Sequence, residues 1–442
     1  MSSGLPNGGP VAILWGLVVV TICNVCVALS MGELCSSMPT ALGQAFWVSR
    51  LAAASSNAFM TELILAAKLM FDEDRDDDSK GWVQLLIYIG VTVLCTAVNH
   101  FGCRIEKFLP WFNRIMGVWY MAIFLMIGLA LLISVGTNPD KHFQSAEFVF
   151  GRWINETGWP DGVTWFLGLV QAAYGLIAFD SVIHMVEEIP APRRNGPKMM
   201  YMSVICGAVT GFVFMAICLS CIQSLDEVLT SPVGFPFSQI IQDAIGLHGA
   251  SVLLSLFICN GMGQAVSVST SASRLTWSFA RDGGIPFSGF FWEVDPRWQA
   301  PTRALWLQAA VVSAIGAILS VSTIALTISY AMPIAVLLRV GRDKSPPGEF
   351  RLGKLAVGIN VVSIVYCAIT SVFFLFPSRP GPAVDEMNYA VAIFGVMMII
   401  ALGFWSVQGR TSYMFMEVED AGKHSRAARQ PMSEEGLIEP AM

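Results

Sequence analysis

The stretch from Val163 to Pro190 reads VTWFLGLVQAAYGLIAFDSVIHMVEEIP and decides the fold class of this chain. Its residues 163–179 are apolar except for Thr164 and Gln171, and such a run is nearly long enough to cross a membrane as a helix. Asp180 follows inside the apolar run, where an ionised side chain costs about 3 kcal/mol or more at the bilayer centre. The stretch therefore predicts a membrane-spanning helix that carries a functional carboxylate and is flanked by helix-breaking residues.

The composition of the whole chain predicts a polytopic membrane protein. Of its 442 residues, 55% are hydrophobic and 13% are charged, whereas a soluble domain carries about 25% charged residues. The chain has no basic patch with interleaved aromatic residues, which excludes nucleic acid as a partner. The five histidines have no metal-ligand spacing and there is no P-loop. No metal, cofactor, direct ATP drive or enzyme activity is therefore expected.

Apolar segments along the chain predict an all-α fold. The candidate spans are 11–31, 82–101, 115–136, 163–186, 200–222, 249–272, 354–376 and 388–408. Residues 56–70 have a helical pattern but are short for a span of about 20 residues. The apolar run 304–338 is too long for one helix and is expected to form two, 304–319 and 320–338.

Charge placement predicts the side that each loop faces. With residue 1 outside, most lysines and arginines fall in cytoplasmic loops, as the positive-inside rule requires. Residues 1–408 are then the membrane domain, and the polar segment 409–442 is a disordered cytoplasmic tail. Asn155-Glu156-Thr157 is a glycosylation sequon in an outside loop, which makes Asn155 a candidate glycosylation site.

Three ionisable residues near the end of the opening stretch share one helix face. Asp180, His184 and Glu188 are spaced four residues apart, and they fit either a proton relay or a site for a substrate amine. The alternative is a capped helix end at the cytoplasm, because Glu187 and Glu188 precede a pair of arginines. Asp180 lies deeper in the span and is the functional candidate, whereas His184 fits both a relay and a packing role.

Polar or helix-bending residues also mark two later segments. Residues 260–283, NGMGQAVSVSTSASRLTWSFARDG, are rich in hydroxyl and amide side chains, which fit either a solute path or hydrogen bonds between helices. Gly261 and Gly263 are expected to interrupt this helix. Farther on, Pro333 frees a backbone carbonyl close to Tyr330, which is either a gate or a packing residue.

A loop motif follows the first predicted helix. Glu33 lies at the cytoplasmic end of that helix, Pro39 ends it, and Gly43 permits a sharp turn. The alternative for Glu33 is a charge that caps the helix end.

Together these motifs resemble the amino acid–polyamine–organocation superfamily, and within it the fungal amino acid/choline permeases, which include γ-aminobutyrate and choline carriers. The residues that carry the match are Gly32-Glu33, Pro39-Thr40, Gly43, Ala178-Phe179-Asp180, Met185, Glu187-Glu188, Ser273-Arg274, Ala280-Arg281-Asp282-Gly283, Ile328-Ser329-Tyr330 and Pro333. Jointly they are specific to the superfamily but not to one substrate.

The resemblance implies an inverted-repeat transporter fold of twelve helices, of which about ten are expected here. Val11–Met31 aligns with the second family helix, so the first is expected to be missing. Residues 48–70 resemble a shortened third helix, and 304–338 resemble a fused ninth and tenth. In the family the first and sixth helices are broken and hold the solute at mid-membrane, and Val163–Glu188 matches the sixth. The chain thus resembles a truncated permease.

The resemblance also implies a function and a set of site residues. We expect a secondary active transporter of amino acids or small amines such as γ-aminobutyrate and choline, coupled to protons, in the plasma membrane rather than the vacuole. The implied substrate-binding residues are Tyr174, Gly175, Phe179, Asp180, Asn260 and Tyr330. The implied coupling or gating residues are Asp180, His184 and Glu188. The implied cytoplasmic loop motif is Glu33, Pro39, Thr40, Gly43, Arg281 and Asp282. A solute-sensing receptor and a non-functional truncated permease remain as alternatives.

Overall fold

The computed structural model describes most of the chain as α-helix. It covers residues 4–38, 46–69, 81–105, 107–186, 189–230, 235–295, 297–298, 300–315, 319–342, 348–377, 379–382 and 390–409. The helices are α1 (Gly9–Ser37), α2 (Phe46–Leu69), α3 (Gly81–Gly102), α4 (Phe108–Thr137), α5 (Ala146–Gly151), α6 (Asp161–Gly175), α7 (Ser181–His184), α8 (Pro192–Ser220), α9 (Leu225–Leu229), α10 (Pro236–Ile245), α11 (Leu247–Arg281), α12 (Ser288–Phe291), α13 (Thr302–Ile315), α14 (Leu319–Val340), α15 (Ala356–Phe373) and α16 (Ala390–Phe404). A 3-10 turn, Gly353–Leu355, precedes α15.

Six of the helices in the described part are long and apolar enough to cross a membrane. They are α1, α3, α4, α8, α11 and α15 with its leading 3-10 turn. Their outer faces keep large apolar side chains exposed, such as Leu129 and Ile133 on α4, which suits contact with lipid rather than water. The prediction of an all-α polytopic membrane protein is confirmed.

The segment around 56–70 is longer than its sequence pattern suggests. The helix begins at Phe46 and has 24 residues, so at 1.5 Å per residue it extends about 36 Å. That length would cross the hydrocarbon core, but α2 is not among the helices apolar enough to do so, and the expectation of a segment short for a span stays a prediction. The reason lies in Arg50 and the serines among residues 46–56, which lower the hydropathy of its first half.

The long apolar run contains two described helices, and their junction at residues 316–318 lies outside the described part, so the division of the run stays a prediction. The first, α13, ends at Ile315, and α14 begins at Leu319. Pro333 lies inside α14, which continues on both sides of it.

The polar helix α11 runs unbroken through Gly261 and Gly263, which corrects the prediction that they interrupt it. A Cβ at Gly261 would lie 2.1 Å from Met60 Cε, and one at Gly263 would lie 2.3 Å from Met116 Sδ. The glycines are therefore needed for close packing. Each leaves a notch in α11 that accepts a methionine side chain, from α2 on one side and from α4 on the other.

Buried apolar side chains form two main clusters. One joins α1, α6, α7, α8, α14 and α15 and includes Met31, Leu169 and Ile324. The other joins α2, α3, α4, α8, α10 and α11 and includes Leu63 and Ile127. Helix α7 belongs to the first cluster and contacts α11 of the second, so the stretch quoted first lies where the two clusters meet.

Candidate functional site

The helix that contains Asp180 is broken. Helix α6 ends at Gly175, α7 begins at Ser181, and residues 176–180 are not helical. Ala178 has a φ of +66°, which is unfavourable for a residue with a Cβ. The break falls in the middle of an apolar run that would otherwise continue as one helix.

A side chain from α1 satisfies one backbone group that the break exposes. Asn24, 5% exposed, donates from Nδ2 to the Leu176 carbonyl at 3.3 Å. Inside a membrane a free carbonyl costs several kcal/mol, so non-helical backbone persists only where such partners exist. Asn24 therefore helps to hold the break open.

Asp180 is buried at the end of the break and has two polar neighbours. The Tyr330 hydroxyl of α14 donates to Oδ1 at 2.8 Å, and His184 Nε2 lies 3.5 Å from Oδ2. The exposed fractions are 4% for Asp180, 4% for His184 and 3% for Tyr330. The Phe179 ring packs against the Tyr330 ring with centroids 5.1 Å apart. We call these four residues the Asp180 cluster.

One atom of the Asp180 cluster lacks a partner. His184 Nδ1 is buried and makes no hydrogen bond, although imidazole nitrogens inside a protein normally find one. Proton exchange between Asp180 and His184 changes the charge of both groups in a low-dielectric setting, where each charge depends on the other. The cluster is thus chemically able to hold one proton in more than one arrangement.

A cavity of about 400 Å³ lies beside α7, between α4 and α11. Its polar lining consists of uncharged side chains, among them Asn113, Tyr120, Asn260, Gln264, Ser267 and Ser271. Asn113 accepts a hydrogen bond from Ser267 at 2.7 Å, and Ser271 donates to Met185 Sδ at 3.6 Å. Because Met185 follows directly on α7, the cavity wall and the Asp180 cluster are joined through this short helix.

The structure brings together some of the predicted substrate-binding residues and separates others. Phe179, Asp180 and Tyr330 form one cluster with His184, whereas Asn260 lines the cavity on the α11 side. Gly175 is exposed at the end of α6, with open space where a Cβ would point.

Sequence reasoning missed a second carboxylate. Glu62 lies within α2, is exposed, and interacts electrostatically with the Tyr174 hydroxyl of α6. The signal was present in the sequence, since Glu62 is an acidic residue inside the apolar stretch MTELILAA. The apolar part of that segment is shorter than a membrane span, so Glu62 did not stand out as an intramembrane charge. Asn113 and Tyr120 were also missed, because single polar residues in α4 resemble ordinary packing positions.

Comparison with known proteins shows the family of this chain. A family model described as amino acid permease matches residues 2–400. The chain belongs to the amino acid permease family. It is 28% identical to the choline transporter of Saccharomyces cerevisiae, over 94% of this chain and 78% of that protein. It is 26% identical to the GABA-specific permease of the same yeast, over 93% and 78%, and 24% identical to amino-acid permease 2 of Neurospora crassa, over 93% and 80%.

As a member of this family, the permease is an integral multi-pass membrane transporter and not an enzyme. The predicted family resemblance is confirmed over nearly the whole chain. The Asp180 cluster and the cavity are therefore features of a transport protein.

Near the C-terminal end of α1, Glu33 is part of a polar network. Arg342 Nε lies 3.0 Å from Glu33 Oε2, and the Leu352 amide donates to Oε1 at 3.3 Å. Asn360, fully buried, lies 2.8 Å from the Ser30 hydroxyl. In the amide orientation that satisfies both neighbours, Asn360 also accepts from Arg342 Nη2 at 2.9 Å. The network ties α1 to α15 at the predicted cytoplasmic end.

Two other residues of the predicted loop motif lie at the end of α11. Arg281 and Asp282 pair with each other at 3.3 Å at the end of α11, and the Arg281 guanidinium lies 5.0 Å from the centre of the Trp277 ring. Pro39, Thr40, Gly43 and Glu188 lie outside the described residues, as do residues 410–442 of the predicted tail.

The predicted glycosylation site is built into a turn before α6. Asn155 Nδ2 donates to the Trp159 carbonyl at 2.8 Å and to Asp161 Oδ1 at 2.8 Å, and its Oδ1 accepts from the Thr157 hydroxyl at 2.9 Å. Trp153 Nε1 also donates to Asp161 Oδ1. Both hydrogens of the Asn155 amide are thus used within the fold, and glycosylation there stays a prediction.

Proposed function

We propose that this permease is a proton-coupled secondary transporter of small amino or quaternary-ammonium solutes that works by alternating access. The observation that carries the proposal is the Asp180 carboxylate, 4% exposed and set at the break of a membrane helix. Ionisable groups are retained at such depth where they bind or relay charge. The names of the relatives, a choline transporter and a GABA-specific permease, support this class of solute.

The contacts of Asp180 suggest how a proton is coupled to movement. Ionised Asp180 accepts a hydrogen bond from Tyr330 and lies beside His184. Protonation weakens both contacts, because a neutral carboxyl loses the charge that strengthens them. Tyr330 belongs to α14 and Asp180 to the break, so the proton changes how firmly α14 is held against α7. A solute that binds one of the two arrangements more tightly then shifts the equilibrium between them.

Aromatic and acidic side chains around the break suit an ammonium group. Glu62 of α2 interacts electrostatically with Tyr174 of α6, and the rings of Phe179 and Tyr330 lie next to Asp180. Carboxylates attract the positive charge of an amine, and aromatic faces attract quaternary ammonium ions. The neutral polar cavity beside α7 then offers hydrogen bonds to the uncharged or carboxylate part of a solute.

The test is uptake of radiolabelled choline, γ-aminobutyrate and a panel of amino acids by permease-deficient yeast that expresses this chain. We expect uptake of at least one of these solutes, driven by an inward proton gradient and insensitive to sodium. Asp180→Asn, which keeps the shape of the side chain, is expected to abolish uptake with normal surface expression. Asp226→Asn is the matched control, because Asp226 is exposed in α9, away from the break.

Two results would contradict the proposal. Full uptake by Asp180→Asn would make Asp180 a structural residue. Saturable binding of a solute without any uptake under a proton gradient would favour a solute sensor instead.

A further inference from the structure

Basic and aromatic side chains surround Trp298, just before α13 and next to the end of α3. The His100 ring lies 4.4 Å from the Trp298 ring, centre to centre, and the Phe101 ring lies 5.8 Å away. The guanidinium carbons of Arg104 and Arg297 lie 5.6 and 5.9 Å from the centre of the same indole. We call these five residues the Trp298 cluster.

The positive charge of the Trp298 cluster has no acidic counterpart among the described residues. Arg104 and Arg297 are exposed, and neither guanidinium has an ion-pair partner within the described part of the chain. Asp295 accepts the Arg297 backbone amide at 2.8 Å but not its side chain. His100 Nδ1 is buried without a hydrogen-bond partner. Glu106, which is close in sequence, lies outside the described residues.

Two arginines in nearby segments do form ion pairs. Arg303 forms an ion pair with Glu293, and Arg281 forms one with Asp282. Arg303 and Arg281 are thus each paired with an acidic side chain, unlike the two arginines at Trp298. Two guanidinium groups on one indole repel each other unless an anion lies between or beside them.

Apolar side chains border the cluster on the outer surface of the bundle. Phe101 is 62% exposed, Ile105 is 61% exposed and Trp306 is 44% exposed. Phe101 belongs to α3, a membrane-spanning helix, and Trp306 to α13. A ligand that covers the whole surface therefore needs an anionic head and an apolar chain.

We propose that the Trp298 cluster binds the headgroup of an anionic phospholipid, with its acyl chain along Phe101 and Ile105. Arginine guanidinium groups bind phosphate oxygens in a bidentate manner, and tryptophan prefers the depth of lipid headgroups. Charge placement predicts that this end of α3 faces the cytoplasm, the leaflet that carries phosphatidylserine and phosphatidylinositol. The proposal does not depend on the solute or on proton coupling.

The experiment uses the full chain in nanodiscs of phosphatidylcholine doped with brominated phosphatidylserine or brominated phosphatidylcholine. Bromine quenches nearby tryptophan, and the signal of Trp298 is the difference between the wild type and Trp298→Phe. The test variant is Arg104→Gln/Arg297→Gln. The matched control is Arg152→Gln/Arg379→Gln, which removes two exposed arginines at the opposite end of the bundle.

We expect brominated phosphatidylserine to quench Trp298 more strongly than brominated phosphatidylcholine. The test variant should lose about thirtyfold of that preference, because it removes two basic residues that each contribute about fivefold to binding at an anionic leaflet, and the control should keep it. Soluble glycerophosphoserine should not displace the lipid, since it lacks the acyl chain. If the double variant does not purify, Arg297→Gln alone, in a loop, should lose part of the preference.

Equal quenching by the two brominated lipids in the wild type would overturn the proposal. So would an equal loss in the control, which would indicate a general effect of net charge. Displacement by soluble glycerophosphoserine would point to a site for a soluble anion instead of a lipid.

Discussion

Tyr330 and Asp180 are 150 residues apart in sequence and share a 2.8 Å hydrogen bond in the buried interior. The bond joins α14 to the break that follows α6. A hydrogen bond to a charged group contributes about 1.5–3 kcal/mol, which is large for a single contact between two helical elements. In the proposed mechanism, the pair links the protonation of Asp180 to the packing of α14.

We expect Tyr330→Phe to lower uptake by about tenfold or more, because it removes one hydrogen bond to the carboxylate and keeps the ring. The measurement is the initial rate of uptake across a range of external pH, with surface expression as a reference. Tyr366→Phe is the matched control, since Tyr366 lies in the same apolar cluster and its hydroxyl has no hydrogen-bond partner among the described residues. If the pH profile of uptake is unchanged in Tyr330→Phe, Tyr330 takes no part in proton coupling.

Gly261→Ala is expected to destabilise the protein by about 1–3 kcal/mol, as overpacked cores do. The added Cβ would lie 2.1 Å from Met60 Cε, so the methionine has to leave its notch. Thermal unfolding in detergent measures the loss, and Met60→Ala in the same chain should restore part of it. Gly90→Ala on α3 serves as the control, because nothing lies within 4 Å of its Cβ position. Equal effects at both glycines would mean that the notch is unimportant.

Glu33→Gln should destabilise the packing of α1 against the segment before α15 by about 1–3 kcal/mol. Its carboxylate is bound by Arg342 and by the Leu352 amide, and the Glu33 side chain is only 10% exposed. Glu293→Gln is the matched control, because the Glu293–Arg303 pair is 57% and 40% exposed and such surface pairs contribute about 0–1 kcal/mol. The readout is the thermal midpoint together with the rate of maleimide labelling at Cys35, which is buried next to the network. Equal midpoints and labelling rates in the two variants would show that the contacts of Glu33 do not stabilise this end of α1.

Asp243 gives the fold a predictable dependence on pH. Partial burial raises the pKa of the Asp243 carboxyl and Glu227 adds to the rise, whereas the hydrogen bond from Gln239 and the charge of Lys141 lower the pKa. The folded state therefore holds this proton to higher pH than the unfolded state. The contribution of Asp243 to the free energy of unfolding is complete below its unfolded pKa of about 4, and it is lost as pH rises through its folded pKa.

Asp243→Asn should remove that dependence. Thermal midpoints of the wild type should fall as pH rises through this window, and those of the variant should fall less. Glu227→Gln should reduce the slope only slightly, because Glu227 is a lesser cause of the shift than burial. A wild type whose midpoint rises over the same window would contradict the assignment.

The sequence was sufficient for the fold class and for the identity of the central carboxylate. Apolar runs with a length near 20 residues predict membrane helices well, because no other structure satisfies the backbone in lipid. Asp180 was identified because charge inside such a run is rare. Gly261 and Gly263 were misread, since glycine in a helix serves either a bend or a close contact, and only the position of the neighbouring methionines decides which.

Among the neighbours of Asp180, His184 followed from its four-residue spacing, Tyr330 entered the site only through the resemblance, and Asn24 was not predicted. Tyr330 and Asn24 reach the break from helices that are remote in sequence, and no local pattern specifies such pairing. Glu33 was singled out as part of a motif, yet its bond to Arg342 depends on how the segment after α14 folds back towards α1. Local sequence thus predicts the elements, and the contacts between them need the assembled structure.

The break after Gly175 has a consequence for biogenesis. Its two side-chain partners come from opposite ends of the chain, since Asn24 precedes it by 152 residues and Tyr330 follows it by 150. When the segment leaves the ribosome, Tyr330 has not yet been made, and Ala178 alone disfavours the left-handed turn that the break requires. We expect that the newly inserted segment can form one continuous helix until α14 enters the membrane and Tyr330 bonds to Asp180.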